Sequence, residues 1–178
     1  MAGPRRRALP PRPITASKGG EPCITAIDTA PKDPNERVIR VGRRIAARLP
    51  SADVESLRLR VGRRWTPRLA ERAAAAERLA SAWRDAIRML GRAATSSARL
   101  TEKLERRGYD AETARGVVDR LRAEGWLDDA AYADEVAERL GRRGPTSRNS
   151  LRAALRARGV DAFTSTDAAG RHASDDLD

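Results

Sequence analysis

An internal repeat in the second half of the chain constrains the fold more than any other sequence feature. The segment TSSARLTEKLERRGYDAET begins at Thr95 and aligns with TSRNSLRAALRARGVDAFT, which begins at Thr146. The two segments share serine, leucine, glycine and aspartate positions in register, with Gly108 opposite Gly159, an offset of 51 residues. Self-similarity at such a period is typical of stacked supersecondary units. We therefore predict tandem helical repeats.

Each copy of the repeat contains the signals of short helices. In the first copy, Ser96 or Ser97 is the expected N-cap, leucines recur one turn apart, and Gly108 is the expected left-handed stop before an aspartate cap. Helices this short are marginal alone, so their apolar faces must pack together. The residues to which we assign structural roles as helix stops, caps and staple or core positions are Gly108, Tyr109, Gly125, Trp126, Leu127, Asp128, Asp129, Tyr132 and Gly159.

The rest of the chain is divided by composition and periodicity. Residues 1–21, rich in Pro, Gly and Arg, predict a disordered basic tail, and residues 22–65 predict a small antiparallel strand unit with Gly42 in a tight turn. Residues 66–127 predict a long helix and a first three-helix repeat. The predicted apolar stripe of the helix is Leu69, Ala73, Ala76, Leu79, Ala80, Trp83, Ile87 and Leu90. Residues 128–161 predict a second, incomplete repeat.

The segment 162–178 lacks the pattern expected of a third helix in the second repeat. Ala168, Ala169 and His172 stand where the first copy has Val117, Val118 and Leu121, so little apolar surface would be buried. We predict a frayed or disordered tail there. The expected fold class is mainly α, with an N-terminal strand unit, a long helix and about one and two-thirds three-helix repeats.

Charge and cysteine content limit the possible functions. The formal net charge is +11 and most of the basic residues are arginine, which favours a polyanionic partner such as nucleic acid, or an acidic protein. A GC-rich genome, which encodes arginine in place of lysine, explains the excess equally well. A single cysteine and the absence of a long apolar run favour a reduced, cytoplasmic protein with no membrane contact.

The chain offers no convincing catalytic set. Its one histidine, His172, lies in the weak tail, and Asp128 and Asp129 are adjacent at a helix start, where caps are expected. Phosphate-binding glycine motifs are absent from the sequence. We expect a non-enzymatic protein without a cofactor, and a monomer.

Arginine-rich positions on the predicted helices are the candidate binding residues. Arginines bind phosphate and carboxylate groups well. Any single arginine is explained equally well as part of a solvated helix face, where it pairs with nearby Glu or Asp. The selected residues are Arg106, Arg107, Arg142, Arg143, Arg148, Arg152 and Arg156.

Taken in order, these segments resemble a known family. The strand unit from ITAI to VGRRW, the long helix, TSSARLTEKLERRGYDAETARGVVDRLRAEGWLDDAAYA and RRGPTSRNSLRAALRARGV together resemble the RecX regulatory proteins of bacteria over about residues 22–161. The most specific part is S-x3-L-x3-L-x3-G-Y followed by L-x3-GWLDD-x2-YA.

This resemblance implies a function that the residues alone do not specify. It implies tandem three-helix repeats that bind the RecA recombinase filament on single-stranded DNA and inhibit its ATPase and strand exchange. It also implies a role in DNA recombination, repair and the SOS response, without catalytic residues or a cofactor. The alternative from composition alone is a general basic DNA- or RNA-binding helical protein that regulates no filament.

Overall fold

The computed structural model describes residues 22–173, which form two compact units with their border between Ser81 and Ala82. The border lies inside the long helix. The first unit contains β1 (Ile24–Ala30), β2 (Asp33–Val41), β3 (Arg44–Pro50), α1 (Ser51–Ser56) and the first part of α2 (Pro67–Leu90). The predicted strand unit is therefore confirmed.

The three strands form one antiparallel sheet in the order β1-β2-β3. Ile39 on the central strand lies opposite Ile27 on one side and Ala47 on the other. The turn between β2 and β3 contains Gly42 with φ +61°, a conformation that glycine adopts without steric cost. Ile39 is fully buried, and Trp65 belongs to the same small core.

The second unit consists of two three-helix repeats. We call the end of α2 from Ala82 onward, α3 (Ser97–Arg106) and α4 (Ala111–Ala123) the first repeat. The second repeat is α5 (Asp129–Gly141), α6 (Arg148–Arg156) and α7 (Ala162–His172). The mainly helical fold class is thus confirmed, with two three-helix groups in the described chain.

Equivalent helices in the two repeats begin with the same cap. Ser96 accepts a hydrogen bond from Arg99 N–H at 3.3 Å, and Ser147 accepts one from Ser150 N–H, also at 3.3 Å. The leucines that follow, at the same positions of α3 and α6, are all fully buried; they are Leu100, Leu104, Leu151 and Leu155. A polar cap followed by two leucines one turn apart produces a short helix with one apolar side.

The buried side of the long helix matches the predicted stripe only in part, with Leu69 and Ala73 buried as expected. Leu79 is exposed and Trp83 is only half-buried, whereas Ala82 and Ala86 are fully buried against the leucines and valines of α3 and α4. Alanine adds only a methyl group, so its helix surface lets the large side chains of neighbouring helices pack closely against it. The same feature recurs in α5 as Ala133 and Ala137, which are also fully buried.

The prediction of a frayed or disordered segment at 162–178 is wrong for Ala162–His172, which form α7. Ala168 and Ala169 are fully buried against the second-repeat core, so small residues replace the large ones of the first repeat. Arg171 and His172 both hydrogen-bond to the Asp134 carboxylate, at 2.7 Å and 3.0 Å. Two complete repeats therefore replace the expected one and two-thirds. The predicted disorder of 1–21 and 174–178 lies outside the described residues.

A close contact joins the two repeats. Ser96 Oγ donates a hydrogen bond to the Arg158 carbonyl at 2.7 Å, and the Arg99 guanidinium donates one to the Ala157 carbonyl at 2.6 Å. Asp129 accepts a hydrogen bond from Ser97 N–H at 2.8 Å. Gly159, with φ +81°, lies so close that an added Cβ would be 2.9 Å from Ser96 Oγ. The start of α3 thereby satisfies carbonyl groups left open at the end of α6.

Gly159→Ala should destabilise the second unit more than Gly108→Ala does. Gly108 has φ +98° but open space around its missing Cβ, so its replacement costs only backbone strain, about 1 kcal/mol. Gly159→Ala adds a clash with the fully buried Ser96, for a total of about 2–4 kcal/mol. Urea unfolding followed by circular dichroism measures both variants. Equal losses of unfolding free energy would show that the repeats do not meet at Gly159.

The N-cap residue Asp161 should make the stability of α7 depend on pH. Hydrogen bonds donated by the side chain and backbone of Thr164, and by Phe163 N–H, lower the pKa of the Asp161 carboxyl from its ordinary 3.8. Its contribution is therefore complete above pH 3.8 and is lost as the pH falls through the lowered folded-state value. Asp161→Asn keeps a capping oxygen that does not titrate. Between about pH 5 and about pH 2.5, the melting temperature of Asp161→Asn should fall less than that of the original chain.

Candidate functional site

Three of the candidate arginines form a ridge along α6. Arg148, Arg152 and Arg156 recur every four residues and are exposed, while Leu151 and Leu155, on the adjacent side of the helix, are buried. Four residues of helix rise about 6 Å, so the guanidinium groups start from evenly spaced points on one face. The burial of the leucines fixes the direction in which this face points.

The ridge belongs to a longer segment without acidic residues, which we call the basic stretch. Residues 139–160 contain seven arginines and no Asp or Glu. Arg139 and Arg142 reach back to carboxylates of α5, Glu135 at 2.6 Å and Glu138 at 3.8 Å. Arg152 donates to the neutral Asn149 side chain at 3.0 Å. The stretch therefore contains no carboxylate of its own to neutralise its seven arginines.

Arg143 lies at the turn between α5 and α6, exposed and next to Arg142. The structure therefore brings five of the seven candidate arginines onto one connected part of the second repeat, namely Arg142, Arg143, Arg148, Arg152 and Arg156. Arg106 and Arg107 do not belong to this group, because they end α3 in the first repeat.

Arg106 and Arg107 border an open cavity of about 310 Å³ at the end of α3. Arg106 pairs with Glu102 at 2.8 Å, and Arg107 pairs with Asp85 at 3.3 Å. The full lining is Met89, Arg92, Ala93, Lys103, Arg106 and Arg107. Arg92 and Lys103 were not among the candidates predicted from the sequence. The spacing of Lys103, three and four residues before the two arginines, could have indicated that it shares their helix face.

Asp85 organises the polar groups beside this cavity. Its carboxylate pairs with Arg88 at 2.6 Å and accepts a hydrogen bond from the Tyr109 hydroxyl at 3.1 Å, in addition to its contact with Arg107. Tyr109 also packs, half-buried, against the first-repeat core. The carboxylate thereby holds the residue after Gly108 and the end of α3 to the long helix.

The residues around Gly125 have separate roles. Gly125 has φ +76°, and Trp126 N–H donates to the Leu121 carbonyl at 2.8 Å, which closes the end of α4. Asp128 caps α5 by accepting from Ala130 N–H at 2.9 Å and Ala131 N–H at 3.0 Å. Asp129 instead reaches Ser97 in the other repeat.

The apolar side chains near this turn belong to different cores or are exposed. Leu127 joins the first-repeat core, but Tyr132 packs against that of the second repeat. The Trp126 ring is 60% exposed, so its structural role rests on its backbone. Phe163, which the sequence analysis did not select, is 83% exposed. The Arg120 guanidinium lies 4.7 Å from the centroid of the Trp83 ring, in cation–π contact.

Among residues 22–173 no group of three or more His, Cys, Asp or Glu side chains is arranged to hold a metal ion. No helix in the same range is both long enough and apolar enough to cross a membrane.

Parts of this chain match known proteins. Residues 82–121 match the family model of the first three-helix domain of RecX. A protein of Thermus thermophilus named regulatory protein RecX is 47% identical over 76 residues, which are 42% of this chain and 51% of that protein. The chain belongs to the RecX family. A RecX protein of Pelodictyon phaeoclathratiforme is 39% identical over 75 residues, 42% of this chain and 47% of its own.

Solved structures extend the likeness beyond the matched domain. A crystal structure of a regulatory protein RecX superimposes with a TM-score of 0.73 and 19% identity, covering 84% of this chain and 73% of that one. RecX from Lactobacillus salivarius gives a TM-score of 0.50 at 15% identity, covering 52% of this chain and 60% of its own. These likenesses show a shared fold. The matched part spans about half the length of the two RecX relatives compared above.

Proposed function

We propose that this RecX-family chain is a non-enzymatic regulator that binds the RecA filament on single-stranded DNA and inhibits its ATPase and strand exchange. The observation that carries the proposal is the basic stretch at residues 139–160, with its ridge of exposed arginines on α6. The process is DNA recombination and repair, including the SOS response. The chain acts in the cytoplasm as a monomer and needs no cofactor.

The arginine ridge suits the phosphates of a single strand. Guanidinium groups bind phosphate oxygens through two parallel hydrogen bonds, and Arg stays charged at any physiological pH. The leucines on the buried side of α6 hold the three arginines on one face, so binding requires little rearrangement. We assign the DNA contact of the complex to this face.

One face of α3, the helix of the first repeat that is equivalent to α6, suits a protein surface better than a DNA strand. It carries Glu102 and Glu105 among basic residues, and Glu102 pairs with both Arg99 and Arg106. Mixed charge of this kind gives specificity toward a complementary protein face. We assign the recombinase contact to this face of α3. Two linked contacts of modest strength then reinforce each other through effective concentration.

The second candidate function is general nucleic-acid binding without filament regulation. The same basic stretch favours it, because an acid-free arginine segment attracts any polyanion. The two functions differ in their preferred target: the regulator prefers the protein–DNA filament, and the general binder holds bare strands equally well.

A triple replacement, Arg148→Ala/Arg152→Ala/Arg156→Ala, should weaken inhibition of the recombinase. The chain should inhibit the single-strand-dependent ATPase of the cognate recombinase well below one molecule per recombinase. The triple variant should need at least about tenfold more protein, equivalent to roughly 1.4 kcal/mol of lost binding. ATP hydrolysis is measured during titration with each protein.

The control is Arg60→Ala/Arg68→Ala/Arg72→Ala, which removes the same charge from exposed positions of the first unit. It should inhibit like the original chain. If the chain inhibits only at ratios that coat the DNA, the regulator function is wrong. If both triple variants lose inhibition equally, net charge and not the α6 ridge carries binding.

Salt dependence separates the ridge from diffuse charge. For single strands the slope of log affinity against log salt is about −0.7 per neutralised phosphate, so loss of three contacts should flatten the slope by about 2. Binding to a labelled oligothymidylate is measured by anisotropy at several salt concentrations. An unchanged slope in the α6 triple variant would contradict a role of this ridge in phosphate contact.

A further inference from the structure

The cavity at the end of α3, which we call the α2–α3 cavity, has a lining that the function proposed above does not explain. Four of its six lining residues are basic, two are apolar and none is acidic: Arg92, Lys103, Arg106, Arg107, Met89 and Ala93. Its volume of about 310 Å³ lies at the lower end of small-ligand sites, about 300–1,000 Å³. It can therefore hold more than a single small ion.

The positive charge of this cavity is only partly neutralised. Glu102 is shared between Arg99 and Arg106, and Asp85 between Arg88 and Arg107. Lys103 donates to the neutral Thr95 hydroxyl at 3.3 Å. Within residues 22–173, no carboxylate pairs with the cations of Arg92 and Lys103. The cavity thus has two cations available and two more whose carboxylates are already divided between partners.

The apolar part of the lining narrows the class of ligand. Met89, half-buried against the first-repeat core, and Ala93 supply a carbon surface beside the cations. An inorganic anion would contact only the basic side chains of the lining and not its carbon surface. A phosphate ester uses both parts, since its phosphate meets the cations while the sugar or base covers the thioether and methyl groups.

The second repeat shows that this charge is not needed for folding. At the 51-residue offset, Lys103 corresponds to Ala154 and Arg106 to Ala157, yet α6 forms the same capped helix with the same two buried leucines. The cations at positions 103 and 106 are therefore additional to what the helical repeat requires.

We propose that the α2–α3 cavity binds the phosphate ester of a nucleotide, with Arg92, Lys103, Arg106 and Arg107 around the phosphate and Met89 and Ala93 against the sugar or base. The phosphate belongs either to a DNA strand or to a free nucleotide. This site is distinct from the α6 ridge, and its ligand binding does not require the recombinase.

The test uses Lys103→Ala/Arg106→Ala, which introduces the residues of the second repeat into the first. The control, Arg115→Ala/Arg122→Ala, removes equal charge from exposed positions of α4. Binding of thymidine 5′-monophosphate, thymidine and inorganic phosphate to the full chain is followed by amide chemical shifts. Saturable shifts at residues 89–107 should appear with the nucleotide, be weaker with phosphate, and be absent with thymidine. Affinity should fall at least about fivefold in Lys103→Ala/Arg106→Ala and stay unchanged in the control.

Thermal melts show whether Lys103→Ala/Arg106→Ala folds like the original chain. A phosphorylated dinucleotide and ATP identify the source, because tighter binding of the former indicates a strand and of the latter a free nucleotide. No saturable shift with any phosphate ester, or equal affinity in Lys103→Ala/Arg106→Ala and the original chain, would overturn the inference. Recombinase inhibition measured in parallel separates the two proposals. Nucleotide binding without inhibition would contradict only the proposed regulatory function. Inhibition without nucleotide binding would contradict only the proposed site in the α2–α3 cavity.

Discussion

The arrangement of the two repeats depends on the contact between the turn after α6 and the start of α3. A helix end leaves carbonyl groups without partners, and here Ser96 and Arg99 supply the donors across the joint. Only a residue without a Cβ fits at Gly159, because Ser96 is fully buried beneath it. Glycine at this position therefore serves twice, as the left-handed helix stop and as the contact surface. Through this joint the direction of α6, and hence of its arginine ridge, is tied to the first repeat.

The two repeats use one scaffold for different charge patterns. Both keep a serine cap, two buried leucines and a glycine stop, which is what a short amphipathic helix requires. The outer faces are not constrained by the core, so α3 carries mixed charges beside a basic cavity, whereas α6 carries arginines and no acidic residue in its own sequence. A surface that the core does not dictate can adapt to a partner. The contrast between the faces is the physical basis for the two binding roles that we propose.

The sequence predicted the local elements well because their signals are local. Caps, glycine stops and leucine spacing act within one or two turns, and the strand unit is marked by short β-prone runs. The prediction failed at α7, because Ala168 and Ala169 bury little surface on their own. Their burial depends on equally small residues of α5 and on Asp134, which lies 37 residues from Arg171. For the same reason the predicted stripe on α2 omitted Ala82, which is buried by its neighbours and not by its own hydrophobicity.

The amino-acid sequence by itself determined where α3 to α6 begin and end, that their pattern repeats, and that arginines recur along α6. These features follow from backbone conformation and from spacing along one helix. Only the tertiary structure decided that Trp126 is exposed, that Arg106 and Arg107 lie apart from the other candidates, and that Arg92 joins Lys103 at one cavity. Burial and the meeting of side chains from different helices depend on how the helices pack, and packing is set by many weak contacts between residues distant in sequence.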